Sequence, residues 1–290
     1  MAEYSFQVIN SFSEGNKAFT GNPAGVFLEG DSIPDNKVRQ KIARQMNLVE
    51  TVFVAPPREK GDFHFQYFTP LKELPVTGHP TLAGLWALRN DGRLNDKKQI
   101  SIETAGGILS AWFEEEVVWL TQRPPVFCPI ALSMQNVAKA FGLTDKDIDR
   151  HHAPEVSNAG LGHITFRVAS YDALMQARMD IGELATLCGI VGAREAQLFA
   201  IDGKGDYYSR NFCPRLGEED PACGNGSAAL GAWLAKNGAL PVGKTLPLLQ
   251  GHCVNQPCCV FVQRLPDRDN NFNIAIGGTA RKMADGQLFV

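Results

Sequence analysis

Residues 68–88 read FTPLKELPVTGHPTLAGLWAL, and residues 212–234 read FCPRLGEEDPACGNGSAALGAWL. Each stretch has a Phe-x-Pro turn, then a Pro-x-x-Gly turn, and then a helical pattern of small and apolar residues that includes one Trp. The second copy follows the first by 144 residues at its Phe and by 146 at its Pro-x-x-Gly turn, close to half of the 290-residue chain. This repeat predicts two similar domains that face each other across one active site, and each half is long enough to bury a core.

The order of predicted elements recurs in the two halves. Strand-length apolar runs outnumber helical patterns and are joined by short connections, which favours a mostly antiparallel α+β fold over a doubly wound sheet. Residues 22–25 are interpreted as a turn, and residues 277–279 with Gly286 as the punctuation of a closing hairpin. The predicted helices are 35–46, with Asp35 as N-cap, 80–89, 133–141 and 227–236; the predicted strands are 4–11, 26–28, 51–54, 63–68, 100–103, 109–113, 117–120, 163–168, 197–201, 207–212, 246–249 and 260–263.

The domain boundary is predicted at Thr121-Gln122-Arg123-Pro124-Pro125, where two prolines follow a strand. It divides the chain into residues 1–122 and 123–290. With this boundary, the last strand of the chain could pack against the first half, residues 1–122, although it follows the second half in sequence.

Composition excludes several classes of partner. Hydrophobic residues make up 44% of the chain and charged residues 20%, with a net charge of −3, as in an ordinary globular protein. This charge gives no reason to expect nucleic acid or an anionic membrane as a partner. No stretch is long and apolar enough to span a bilayer, and the start lacks a secretory pattern, so we expect a cytoplasmic protein.

The seven cysteines predict neither a disulfide framework nor a metal site. Their number is odd, and no C-x-x-C pair occurs. His252 and Cys253 resemble half of a metal site, but no second half has ligand spacing. We expect most of the cysteines to be small buried hydrophobes. Cys223 is the exception, because it lies on the second repeated turn.

The repeated turn predicts an anion site. A glycine before a helix lets the backbone approach a ligand, and the helix start carries unpaired N–H groups and partial positive charge. Gly78-His79 and Gly224-Asn225 supply two such starts. Together they could hold one carboxylate and stabilise the charge that develops when the adjacent carbon loses a proton.

Four side chains near these turns are candidate acids and bases. Glu50 precedes an apolar strand, where burial would raise its pKa and suit acid–base work; a solvent-exposed Glu at a strand end is the simpler interpretation. His79 is either a site residue or a polar residue facing water. Asp220 is either a functional carboxylate or a loop acid before proline. Cys223 holds the position in the second turn that Thr77 holds in the first. It is either a reactive thiol, whose pKa is lowered by the helix start, or a small buried side chain.

In these motifs the chain resembles the phenazine-biosynthesis PhzF-like isomerase family, within the diaminopimelate epimerase-like superfamily. The resemblance covers nearly the whole length and rests on several motifs in the right order. Its motifs are Gly21-Asn22-Pro23-Ala24, the run from Asn47 to Val54 with Glu50, Phe68-Thr69-Pro70 with Glu73-Leu74-Pro75, Gly78-His79-Pro80-Thr81, Glu219-Asp220-Pro221-Ala222 before Gly224, and Gly277-Gly278-Thr279-Ala280.

The resemblance implies two pseudo-symmetric halves, each wrapped around a central helix, with the active site in the cleft between them. Glu50 would be the general acid/base, and His79 and Asp220 would help to hold the substrate. The amides of Gly78, His79, Gly224 and Asn225 would bind its carboxylate, with Cys223 beside them. The substrate would be a small carboxylate-bearing metabolite, and the enzyme a homodimer that needs no metal and no organic cofactor.

Two departures from the family pattern keep alternatives open. Val49 stands where this family carries a small hydroxyl residue, and Cys223 resembles the catalytic thiol of amino-acid epimerases and racemases. Because its mate is Thr77, which is far too weak an acid to replace a second thiol, we do not expect a two-thiol racemase, whereas an epimerase or dehydratase that uses Cys223 remains an alternative. A binding protein that kept the cleft and lost the chemistry is another. No counterpart of Glu50 is evident in the second half.

Overall fold

The computed structural model describes residues 2–15, 17–94, 97–131, 133–269 and 271–290. The chain forms two compact units. The first comprises the chain up to Thr121 together with Gly277–Val290, and the second comprises Gln122–Ile276.

The described part of the first unit is built mainly of strands, together with two α-helices. The elements of this part of the chain are β1 (Glu3–Ser13), β2 (Asn22–Phe27), α1 (Asn36–Met46), β3 (Glu50–Ala55), β4 (Phe63–Phe68), β5 (Glu73–Leu74), α2 (Gly78–Asn90), β6 (Gln99–Thr104), β7 (Gly107–Glu114) and β8 (Val117–Thr121).

The second unit has more helices. Its elements are β9 (Val126–Pro129), α3 (Met134–Lys139), β10 (Glu155–Asn158), β11 (Gly162–Arg167), α4 (Tyr171–Gln176), α5 (Ile181–Val191), β12 (Glu195–Ile201), β13 (Tyr207–Cys213), β14 (Glu218–Asp220), α6 (Gly224–Lys236), β15 (Thr245–Gln250), β16 (Cys258–Arg268) and β17 (Asn271–Phe289), which continues into the first unit.

The two units repeat the same order of strand pairing. In the first, β2 is parallel to β3, β3 is antiparallel to β4, and β4 pairs antiparallel with β5 and parallel with β6. In the second, β11, β12, β13, β14 and β15 repeat these four pairings with the same directions. The predicted α+β class is confirmed, and the remaining described pairings are antiparallel.

Helix α1 shows how local sequence fixes an element. The Asp35 carboxylate accepts a hydrogen bond from the Val38 N–H at 2.8 Å, which caps the helix as predicted. The helix ends at Asn47, whose φ of 50° is left-handed. Asn tolerates this conformation better than most residues do, so it stops the helix and turns the chain toward β3.

Helices α2 and α6 are the most buried helices of their units. Helix α2 packs against β1, β2, β3 and β8, and α6 packs against β10, β11, β12 and β16. Their small residues allow the strands to approach closely. A Cβ atom added at Gly84 would lie 2.7 Å from the Phe65 ring, and one at Gly231 would lie 2.1 Å from Cγ1 of Val262.

Two predicted turns are wrong. Residues 22–25 belong to β2, and β17 runs without a break through the glycines at 277, 278 and 286. Gly277 and Gly278 make room for aromatic rings rather than for a reversal of the chain. A Cβ atom would lie 2.5 Å from the Trp119 ring at Gly277 and 2.5 Å from the Phe12 ring at Gly278.

Helices α4 and α5 were not predicted, although α5 has clear end signals. The Asp180 carboxylate accepts a hydrogen bond from the Glu183 N–H at 2.9 Å, and Gly192 ends the helix with a φ of 71°. Among the described residues, no helix is long and apolar enough to cross a membrane.

We expect Gly231→Ala to destabilise the protein by about 1–3 kcal/mol, because the new methyl group overpacks the contact with Val262. Gly189→Ala is the matched control: it also lies within a helix, but nothing lies within 4 Å of the added Cβ atom. That change should be neutral or stabilising by about 0.5–1 kcal/mol, because Ala is the better helix former. Urea unfolding of both variants measures the difference, and equal stabilities would contradict the packing argument.

Candidate active site

Glu50 is the first residue of β3 and lies beside Ala24 of the parallel strand β2. The residues that follow in β3 are mainly apolar and mostly buried, and Glu50 is buried with them. Glu50 is only 8% exposed. The simpler interpretation of an exposed strand-end Glu is therefore wrong. A buried carboxylate requires hydrogen-bond partners.

Thr77 is the principal partner of Glu50. Its Oγ1 donates a hydrogen bond to Glu50 Oε2 at 2.5 Å, so this N-cap residue does not use its side chain to cap α2. Thr81 Oγ1 donates to the Thr77 carbonyl, and Tyr67 Oη lies 2.6 Å from Thr81 Oγ1. Because the Thr81 proton is already committed, the Tyr67 hydroxyl is the donor in this contact. Burial raises the pKa of Tyr67, which keeps that proton in place.

His79 is buried against the same carboxylate. Its Nδ1 lies 3.4 Å from Glu50 Oε2, and the side chain is 5% exposed, so the alternative of a His facing water is wrong. Burial lowers the pKa of His79 to about 3, although the Pro23 carbonyl accepts a hydrogen bond from the ring. The ring is neutral at neutral pH, and its contact with Glu50 is polar rather than an ion pair.

The backbone beside Glu50 is a helix start. Helix α2 begins at Gly78, and the Ser11 hydroxyl holds the first turn by donating to the His79 carbonyl at 2.6 Å. The first N–H groups of a helix point out of its end, where the helix dipole is positive. The first unit thus joins a buried carboxylate, a hydroxyl donor and a neutral imidazole at an anion-binding helix end.

The second unit contains the other predicted site residues. Helix α6 begins at Gly224, and Cys223 is its N-cap, with Sγ accepting a hydrogen bond from the Gly226 N–H at 3.3 Å. Asp220 ends β14, and its Oδ1 accepts from the Ala222 N–H at 3.0 Å. Asn225 follows Gly224 in the first turn of α6.

Two residues that the sequence did not single out lie beside Cys223. Its Sγ is 3.7 Å from Glu195 Oε2 and 3.9 Å from His163 Nε2, and these two atoms are 3.1 Å apart. Glu195 is the first residue of β12, which is parallel to β11 as β3 is to β2. It follows Glu50 by 145 residues, which lies between the two offsets of the repeat, 144 and 146 residues. Glu50 therefore has a counterpart, and the offset could have revealed it.

The charges around Cys223 correct a second expectation. Burial, and then the nearby carboxylates of Glu195 and Asp220, raise the pKa of Cys223 well above its usual value. The helix start alone would lower the pKa of Cys223, but burial and the two carboxylates have the larger effect. Burial opposes ionisation of Glu195 as well, yet hydrogen bonding and charge from His163, with further hydrogen bonds from Cys213 and Asn211, lower the pKa of Glu195 overall.

Comparisons with known proteins agree with this architecture. The profile of the phenazine biosynthesis-like protein family (PhzC-PhzF) matches residues 10–286. A trans-2,3-dihydro-3-hydroxyanthranilate isomerase of Pseudomonas fluorescens is 30% identical over 98% of this chain and 99% of its own. Antisense-enhancing sequence 1 of Schizosaccharomyces pombe is 27% identical over the full length of both chains.

A solved structure extends the match to three dimensions. The phenazine biosynthesis protein of the PhzF family from Bacillus anthracis superposes with a TM-score of 0.90, at 26% identity and with 100% of both chains covered. The family profile, the Pseudomonas fluorescens isomerase and this structure agree over nearly the whole chain. The chain therefore belongs to the phenazine biosynthesis-like protein family and is an isomerase of the PhzF type.

Proposed function

We propose that this isomerase moves a proton within a small carboxylate-bearing metabolite, with Glu50 as the general acid and base and without a cofactor. The observation that carries the proposal is the short hydrogen bond from Thr77 to Glu50 at the start of α2. A buried carboxylate, held in one orientation beside a helix end, is suited to take a proton from a carbon next to a bound anion.

In the proposed reaction, Glu50 carries out both proton transfers. The Glu50 carboxylate removes a proton from a carbon of the substrate, and the C–H electron pair moves into the adjacent conjugated system. The amides of Gly78 and His79 stabilise the negative charge that develops on the substrate. Glu50 then returns the proton to another carbon, so the enzyme ends unchanged and the substrate is isomerised.

Neighbouring residues have separate roles in this proposal. Thr77 holds the Glu50 carboxylate in place, and the neutral His79 contacts substrate without competing for the proton. Asp220, Gly224, Asn225 and Cys223 are the further candidates for substrate binding. The relatives named trans-2,3-dihydro-3-hydroxyanthranilate isomerase make that compound the first substrate to test, because it carries a carboxylate.

A second candidate function is supported by the match between the two units. Cys223 lies beside Glu195 as Thr77 lies beside Glu50. The second unit therefore holds its own proton-carrying group at a helix start. An epimerase or dehydratase would use this thiol in place of Glu50, so the two functions differ in which substitution abolishes proton exchange.

We expect Glu50→Gln to slow proton exchange by about 10²–10⁴-fold, the usual contribution of a general base. The assay incubates the protein in D2O with trans-2,3-dihydro-3-hydroxyanthranilate or other small carboxylates and follows deuterium incorporation by NMR. Cys223→Ala is expected to retain exchange. The reverse pattern would establish the thiol enzyme. Because Glu50 can return the proton that it removed, product formation is followed together with deuterium incorporation, and absence of both with a ligand that demonstrably binds would indicate a binding protein.

Thr77→Val should reduce exchange by about 10- to 100-fold, because it removes one hydrogen bond to a charged group while keeping the shape of the side chain. Thr77→Ser keeps the hydroxyl and should stay within a few-fold of the parent protein. Exchange rates at saturating substrate provide the comparison. A Val variant as active as the Ser variant would show that the hydroxyl does not position Glu50.

The neutral state of His79 predicts how stability depends on pH. Its pKa is about 3 in the folded protein and about 6.5 in the unfolded chain, so the unfolded state binds more protons below pH 6.5. Stability from this source is complete above pH 6.5 and falls by about 2 kcal/mol at pH 5.

His79→Asn should therefore lose less stability than the parent protein between pH 7 and pH 5. Urea unfolding at several pH values measures this difference. His151→Asn, at an exposed position, is the control and should follow the parent. Parallel curves for His79→Asn and the parent would contradict a buried neutral imidazole.

A further inference from the structure

His163, Glu195 and Cys223 form a compact group of donor atoms, here called the buried triad. The residues come from β11, β12 and the start of α6, all in the second unit. The His163 side chain is fully buried, and Cys223 is 8% exposed. One nitrogen, one oxygen and one sulfur lie within 4.8 Å of one another.

Two hydrogen-bond acceptors of the buried triad, His163 Nε2 and Glu195 Oε2, face each other when the His163 ring is neutral. His163 Nδ1 lies 2.8 Å from the Leu161 carbonyl oxygen, which can only accept, so Nδ1 carries a hydrogen. In a neutral ring, Nε2 then presents a lone pair to Glu195 Oε2 at 3.1 Å. Two acceptors at this distance repel unless a positive charge lies between them. A metal ion bound to both atoms supplies such a charge.

The distances fit a metal ion. Ligand atoms at zinc bond lengths of about 2.0–2.3 Å are about 3.3–3.5 Å apart in a tetrahedral site. The three separations in the buried triad are 3.1, 3.7 and 3.9 Å, so movements of a few tenths of an ångström would complete the geometry. The donor set of imidazole, carboxylate and thiolate is one that zinc prefers.

The surroundings supply the supporting contacts that metal sites require. The Leu161 carbonyl fixes the His163 ring with Nε2 toward the site, as outer partners of ligating histidines do. Asn211 and Cys213 hydrogen-bond to Glu195. Cys213 also places a second thiol at the same carboxylate and is a candidate fourth ligand.

We propose that the buried triad binds one zinc-class divalent ion through His163 Nε2, Glu195 Oε2 and Cys223 Sγ. Binding replaces the Cys223 thiol proton, which is released to solvent, with a sulfur–metal bond. The fourth position is taken by Cys213 or water. The site does not involve Glu50, although it shares Cys223 with the residues proposed to bind substrate. Its ligands are far apart in sequence, which is why cysteine spacing predicted no metal.

The test is metal binding by the full-length protein. After equilibration with Zn²⁺ and desalting, we expect about one zinc per chain by mass spectrometry and a Kd at or below about 1 μM. Titration with Co²⁺ should produce the near-ultraviolet thiolate-to-cobalt charge-transfer band. Retention of no zinc, or a cobalt complex without this band, would overturn the proposal.

Variants assign the ligands. Cys223→Ser, His163→Gln and Glu195→Gln should each weaken zinc binding by at least about 10-fold, and the serine variant should abolish the thiolate band. Cys258→Ser, at another buried cysteine of the second unit, should bind zinc like the parent. Glu50→Gln should also bind zinc like the parent, because Glu50 is not a proposed ligand. A failure of the zinc proposal is therefore distinguishable from a failure of the proposed role of Glu50 in proton exchange.

Folding controls keep the result decisive. Each triad variant is compared with the parent by circular dichroism and thermal melting in the presence of a chelator. Folded triad variants that bind zinc as tightly as the parent would overturn the assignment. If one substitution prevents folding, the other two still decide it.

Discussion

The close approach of each unit's central helix to its strands is the constraint on which the remaining structure depends. Small residues such as Gly84 in α2 and Gly231 in α6 leave no room for a side chain between helix and strand. This contact holds each helix against its strands. Because the helix start and the first residue of the neighbouring strand are then held together, a polar pair forms there in both units, Thr77 with Glu50 and Cys223 with Glu195.

The two pairs share a backbone frame but differ in chemistry. In the first unit a hydroxyl donates to the carboxylate, and the adjacent imidazole is neutral because it is buried. In the second, a thiol and the fully buried His163 converge on the carboxylate. The first arrangement suits proton transfer by a carboxylate. The second gathers the donor atoms of a metal site. The two units thus place a carboxylate and a helix-cap residue in matching positions, and the cap residues Thr77 and Cys223 give the two pairs different chemistry.

Much of the fold and part of the site could be predicted from sequence. The repeat revealed the duplicated architecture, and Asp35 located the start of α1 because capping is a local interaction. Local patterns failed where glycine had a packing role. Gly277 and Gly278 resemble turn residues, yet they lie inside β17 against Trp119 and Phe12. Helix α5 had readable caps at Asp180 and Gly192, so its omission was avoidable.

The sequence by itself determined the α+β class and the family, and it singled out Glu50, His79 and Cys223 as candidate site residues, because these follow from local patterns and ordered motifs. Only the tertiary structure decided what those residues touch. Glu50 is buried rather than exposed, and the pKa of Cys223 is raised rather than lowered. Burial and the approach of Glu195 and His163 depend on strand pairing between distant segments. Such pairing sets the dielectric and the neighbouring charges, which no local pattern encodes.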